Sequence, residues 1–180
     1  MKTYSKNFGS SSNGSHEGED LRRLLLDGLR DLYWAETRLT KSLPTMAQAA
    51  TSKGLTRAFE SHLSETEEHV NRIERVFKLL DEPAQGKKCA AMIGLLEEAD
   101  EITKSTKDGS LVRDCGLILA AQKVEHYEIA SYGTLRTIAE ILGYEEVADI
   151  LQMTLNEEED ADSKLTQLAQ SHINVAAAQE

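Results

Sequence analysis

Apolar residues recur every three or four positions through most of the chain, which is the spacing of amphipathic helices. The pattern predicts five helical segments. The first runs from about Asp20 to Ser52 and gathers Leu25, Leu29, Leu32, Leu39, Leu43 and Ala47 on one side. Pro44 interrupts this segment and should bend it, because proline removes a ladder hydrogen bond. The string "SKGL" closes it, with Gly54 suited to the left-handed residue beyond a helix end. The second segment, about Leu55 to Leu80, is led by Leu55, Phe59, Ile73, Val76 and Phe77. Beyond the turn-rich "DEPAQGKK", a shorter third helix from about Lys88 to Lys104 carries Met92, Ile93 and Leu96. The fourth spans about Leu111 to Leu142, where Gly143 stops it, and the fifth about Glu145 to Ser171.

Tight turns make the first and second long helices antiparallel neighbours, and likewise the last two. A long crossover with its own short helix joins the pairs. That order predicts an all-α, ferritin-like four-helix bundle built from two helical hairpins. A faint internal repeat agrees: a shift of 92 positions superimposes Glu36 on Glu128, Phe59 on Leu151, Leu63 on Leu155 and Ile73 on Leu165. The bundle is expected over residues 20–172, between a flexible tail at 1–19 and an alanine-rich tail at 173–180.

The apolar stripes are broken by acids. A helix turns about 100° per residue, so each position can be assigned to a face. Glu36 lies in the centre of the first stripe. On the second helix His62 and His69 are in register with Leu55, Phe59 and Ile73, and Glu65 flanks them. On the fourth, Glu125 and Glu128 share a face with Ile118, Ala121 and Tyr132, while His126 points away. On the fifth, Glu158 and Asp162 follow Val147, Leu151, Leu165 and Ala169, whereas Glu157 and Glu159 diverge and should be solvated. One carboxylate beside an apolar stripe usually sits at its rim. Four helices that each turn an acid inward near mid-length cannot all be showing rim residues.

Composition narrows what such acids do. Lys and Arg total 20 against 31 Asp and Glu, a net charge of −11 that argues against nucleic acid or an anionic membrane as partner. Buried ions cost several kcal/mol each unless compensated, and no inward Lys or Arg set matches these acids. Two divalent cations bring four positive charges to one spot. Oxygen ligands with one or two imidazoles suit iron or manganese, while structural zinc would want thiolates. Cys89 and Cys115 lie in no metal-binding spacing and read as reduced cytosolic thiols. With no apolar leader in "MKTYSKNFGSSSNGSHEGED" and no long apolar run, the expected place is the cytoplasm.

The strings "DLYWAETRL", "FESHLSETEEHV", "CAAMIGLLEEADE", "QKVEHYEIASYGTLRTIAEILGY" and "TLNEEEDADSKLTQLA" resemble the YciF-type ferritin-like proteins of bacteria over about Asp20 to Ala169. The resemblance implies a ferritin-like homodimer with a di-iron centre and a link to stress responses. The wider ferritin-like pattern is one Glu on each of two helices and Glu-x-x-His on each of the other two. Matched by residue, Glu36 takes the first-helix position and Glu125 or Glu128 the fourth. Glu65 and Glu158 fit the bridging acids. The remaining ligands depart from the pattern: His62 precedes Glu65 by three, His69 follows it by four, and Asp162 follows Glu158 by four.

Six acids exceed the four that two divalent ions balance, so Glu125 or Asp162 is expected to be protonated or to stand outside the ligand set. His62 is favoured over His69 as the ligand. Tyr33 and Tyr132 are candidate hydrogen-bond donors to the site, with ordinary packing the blander role. Two functions compete. One is a di-iron oxidoreductase reducing peroxide or oxidising ferrous iron, with a separate electron donor because no Cys-x-x-Cys module is present. The other is a non-enzymatic, dimeric stress protein that binds metal and acts through partners. A storage cage has no support in the sequence. A DNA-protecting role is disfavoured by charge, although the tail carries Lys2 and Lys6.

Overall fold

The computed structural model describes residues 14–180, with side chains from residue 18 onward. Five helices follow in order: α1 (Gly14–Ala49), α2 (Lys53–Leu79), α3 (Ala90–Ser105), α4 (Leu111–Ile141) and α5 (Glu145–Leu168). A π-turn at Ala169–Ile173 and the short α6 (Asn174–Ala177) complete them. Neighbouring contacts run α1–α2, α2–α5, α5–α4 and α4–α1, closing a four-sided bundle, and α3 lies against α4 and α1. The ferritin-like arrangement read from the turns is the one observed.

Several local expectations change. Helix α1 starts at Gly14, so 14–19 is helical and not tail; residues 1–13, with Lys2 and Lys6, lie outside the described residues. Pro44 lies inside α1, which continues through it to Ala49. Gly54 has no positive φ. It belongs to the first turn of α2, where its N–H donates to Ser52 Oγ, the N-cap. Left-handed glycines stand instead at Gly109, φ 72° before α4, and at Gly143, φ 77° just after it. At the other end, 173–180 is docked and not a loose tail. Ile173 is buried, and the Glu180 carboxylate accepts from Leu111 N at 3.0 Å, satisfying an orphan donor at the start of α4.

The crossover is tied down along its length. Glu82 accepts from Arg22 at 2.9 Å, and Lys87 N donates to Arg30 O at 2.9 Å. Helix α3 can sit close to α4 because residue 116 is glycine; a Cβ there would stand 2.4 Å from Ile102 Cγ2. Tyr127 donates to Asp31 and contacts Cys89 Sγ at 3.2 Å, joining α4 to α1 and to the start of α3.

The apolar core is divided. One cluster gathers Leu25–Leu32 of α1, Ile73–Leu80 at the end of α2, Tyr132–Ala139 of α4 and Val147–Leu155 of α5. The other gathers Ala35–Ala47, Leu55, Phe59, Leu117–Val124 and Leu165–Ile173. Each buried Leu, Ile or Phe contributes about 1.5–3 kcal/mol relative to exposure. Between the clusters every long helix reaches mid-length, and there the buried residues are polar: Glu36, His62, Thr66, His69, Glu125, Glu128 and Glu158.

Candidate metal centre

Helical periodicity explains which residues enter this layer. On α2 the buried positions are Leu55, Phe59, His62, Thr66, His69, Ile73, Val76 and Phe77. Thr66 occupies the middle of that stripe, and Glu65 lies roughly 80° away from its axis. Glu65 is accordingly 28% exposed. Thr66 donates to His62 O at 2.8 Å and leaves the inner surface to the two imidazoles. Helix α5 sends in only Glu158. Asp162 is half-buried at the α4 edge, where Gln122 Nε2 donates to it at 3.0 Å and His126 lies 3.3 Å away.

Two groups of ligand-type atoms result, each within 4.8 Å: His62, Glu125, Glu128 and Glu158; and Glu36, His69 and Glu158. Of the seven predicted site residues, Glu36, His62, Glu125, Glu128 and Glu158 come together, while Glu65 and Asp162 stand outside. His69, ranked behind His62 in the sequence, comes in with it. The two histidines lie in different groups. The four inward acids carry the charge that two divalent cations balance, so the excess expected from six acids disappears. Asp162 is outside, as one of the two anticipated; Glu125 is inside.

Each imidazole is held from behind by a carboxylate. Glu157 Oε2 lies 2.8 Å from His69 Nε2, and Arg72 grips the same carboxylate at 2.6 and 2.9 Å. Glu65 Oε2 lies 3.3 Å from His62 Nδ1. Glu157 is therefore not the freely solvated residue its angle predicted; Glu159 is exposed. On its other side His69 Nδ1 faces Glu158 Oε1, 3.0 Å away, and Glu36 Oε1, 3.5 Å away. Neither contact has hydrogen-bond alignment. His62 Nε2 likewise faces Glu125 at 3.5 Å and Glu158 at 3.7 Å. Tyr132 donates to Glu36 Oε1 at 2.5 Å, whereas Tyr33 donates outward to Glu74.

Seven buried atoms facing this layer lack a hydrogen-bond partner: Glu36 Oε2, His69 Nδ1, Glu125 Oε2, and both oxygens of Glu128 and Glu158. Orphans at this density are rare in native interiors. Burial drives the carboxyls of Glu125, Glu128 and Glu36 above their ordinary range. Burial opposes the charged imidazoles, yet Glu125, Glu65 and Glu158 raise His62 to about 9. Glu158 and Glu36 raise His69 to about 11. Burial also acts on Glu158, but His69 and His62 outweigh it and hold that carboxyl low. The layer thus demands positive charge from every side. A divalent cation meets that demand with the donors present, oxygens and imidazole nitrogens.

The fold and this layer define a ferritin-like helical bundle with a converging set of acids and histidines at its centre. The chain belongs to the DUF892 family, described as a domain of unknown function, whose match covers residues 20–178. Protein YciF of Escherichia coli K12 is 49% identical over 150 residues, covering 83% of this chain and 90% of YciF. The crystal structure of that Escherichia coli stress protein superposes with a TM-score of 0.81 at 46% identity, covering 86% of this chain and 97% of the other. YcfI of Rhodopseudomonas palustris gives 0.79 at 42% identity, covering 88% and 98%. A Xanthomonas campestris protein gives 0.69 at 26%, covering 88% and 97%. No described helix is long and apolar enough to cross a membrane.

Proposed function

We propose that the protein is a di-metal carboxylate protein that binds two iron ions, or two manganese ions, in the central layer. The observation that carries this reading is the set of seven unpartnered ligand atoms turned toward one another in the buried core. Glu36 and His69 would hold one ion and His62, Glu125 and Glu128 the other, with Glu158 shared because it belongs to both groups. Bound iron would supply redox chemistry toward peroxide or toward ferrous iron as substrate. The chain's own part is to fix the ligands. Glu157 and Glu65 orient the imidazoles, and Tyr132 fixes Glu36 by hydrogen bonding to one oxygen.

The wider setting belongs to the same reading: a homodimer in the cytoplasm, serving the bacterial stress response as its Escherichia coli relative is described to do. Electrons for turnover would come from a separate donor. The alternative is a non-enzymatic metal-binding or structural dimer acting through partners; the Rhodopseudomonas palustris relative is described as a structural protein. The near-complete burial of the layer favours that alternative. Peroxide consumption by iron-loaded protein separates the two. Turnover lost in Glu158→Ala supports the oxidoreductase; binding of two ions without turnover supports the alternative; no stoichiometric binding removes both.

A further inference from the structure

A surface groove between α2 and the end of α5 is lined by Arg57, Ala58, Lys164, Gln167 and Leu168 among others. Ala58 and Lys164 also line a smaller cavity of about 100 Å³, which continues inward past Phe59, Ala161 and Leu165 to His62 and Glu125. Glu65 and Lys164, 3.6 Å apart and 28% and 55% exposed, stand on its solvent side. Open space therefore connects the surface to two residues of the His62 group. The other group has no comparable exposure: Glu36 and His69 are both at 0%, as is Tyr132 beside them.

Size and lining restrict what this cavity admits. At about 100 Å³ the cavity has room for a few water-sized molecules. Sugars, nucleotides and peptides are too large. The apolar walls of Phe59, Ala161 and Leu165 penalise an ion, which would shed its hydration there.

We propose that this cavity is the access route and waiting site for a small neutral oxygen species, hydrogen peroxide or dioxygen, on its way to the His62 side of the centre. The proposal rests on the reading of the layer as a metal centre and adds the side from which the small reactant approaches.

Two experiments test it on the full chain. Xenon-pressurised crystals of the unmodified protein should show xenon against Phe59 and Ala161; none there overturns the cavity as a site for small neutral molecules, whatever the layer binds. Ferrous-loaded protein, kept anaerobic, should take up nitric oxide at least tenfold more slowly in Ala161→Phe and in Ala58→Phe, with iron stoichiometry unchanged. Oxidation by peroxide and by dioxygen, measured separately, should slow alongside; slowing with one alone identifies the species admitted. Unchanged uptake in either folded variant overturns the route. Should Ala161→Phe fail to fold, Ala58→Phe at the half-buried outer end and the xenon result decide. A wild-type chain that binds no ferrous ion removes the metal reading instead, and the xenon result still stands for the cavity.

Discussion

Two carboxylates on α4, Asp114 and Glu128, are both at 0% exposure, yet they have opposite surroundings. Asp114 accepts from Thr51 N and Ser52 N, each at 2.7 Å, and so pins the α1–α2 turn to the start of α4. Glu128 has no hydrogen-bond partner on either oxygen. Asp114 is complete as folded, and the backbone amides it takes are orphans it was needed to satisfy. Glu128 is incomplete, and besides burial the carboxylates of Glu36, Glu158 and Glu125 push its carboxyl up. Burial alone therefore does not mark a functional carboxylate. Burial without a partner does.

The contrast breaks most sharply at Glu158, which the two ligand groups share. Glu158→Ala should lose stoichiometric binding of both ions, a fall above about 100-fold in anaerobic ferrous titration if both sites lose a ligand. Its melting temperature without metal should fall, since His62 and His69 lose a carboxylate that supports their buried charge. A variant that keeps two tight ions would show that the layer does not work as a unit.

Asp114→Ala should do the reverse. Two part-buried amides lose their acceptor, at a cost of about 1–3 kcal/mol, or roughly 2–12 °C in melting temperature for a chain of this size. Iron stoichiometry of the folded fraction should be unchanged. A loss of iron binding with stability intact would place Asp114 in the wrong class.

Glu157 sharpens the comparison from outside the layer. Glu157→Gln weakens the carboxylate behind His69 and should lower affinity at one of the two ions by about 10–100-fold. Glu159→Gln, two residues further along and exposed, should not change the titration. Equal effects would contradict the hydrogen-bonded chain from Arg72 through Glu157 to His69.

The smallest effect is in pH. His62 and His69 stand at about 9 and about 11 in the folded chain, above the ordinary 6.5. A group raised on folding contributes stability that is complete below its unfolded value and is lost as pH climbs through its folded value. Metal-free protein should therefore melt a few degrees lower at pH 9 than at pH 6.5. The raised carboxyls of Glu36, Glu125 and Glu128 act in the same direction. Glu158, Glu65 and Glu157 are lowered and act oppositely, but only once pH falls below the ordinary carboxylate value of 4.5. Iron should flatten the profile, because its charge replaces the protons. Melting profiles that coincide with and without iron would count against compensation by metal.

Much of this was legible before any coordinates. The helical stripes located all five helices to within three residues at each end, except that α1 begins six residues before its expected start, and the interruption of four stripes by acids located the layer. Angle on an isolated helix could not show how far a neighbour covers it. Asp162 lies within about 40° of Glu158, yet α4 meets it with Gln122 and His126 and leaves it at the edge. Glu65 failed for a different reason: the stripe of α2 centres on Thr66. The 92-residue shift does pair Thr66 with Glu158, so the repeat held that information. In α2 the position of the acid has become a threonine, and His62 and His69 provide the donors. Glu157 and Arg72 left no signal, because their partnership crosses from α5 to α2. Asp114 left none either, as a polar residue in a helix's first turn is ordinary.

Diffraction at the iron absorption edge, from crystals of the full chain loaded anaerobically with ferrous ion, tests the central claim most directly. The account predicts two anomalous peaks in the central layer. One should lie among Glu36, His69 and Glu158, and the other among His62, Glu125, Glu128 and Glu158. Iron found only at surface acids such as Asp162, or no iron in the layer while the protein remains folded, would contradict it.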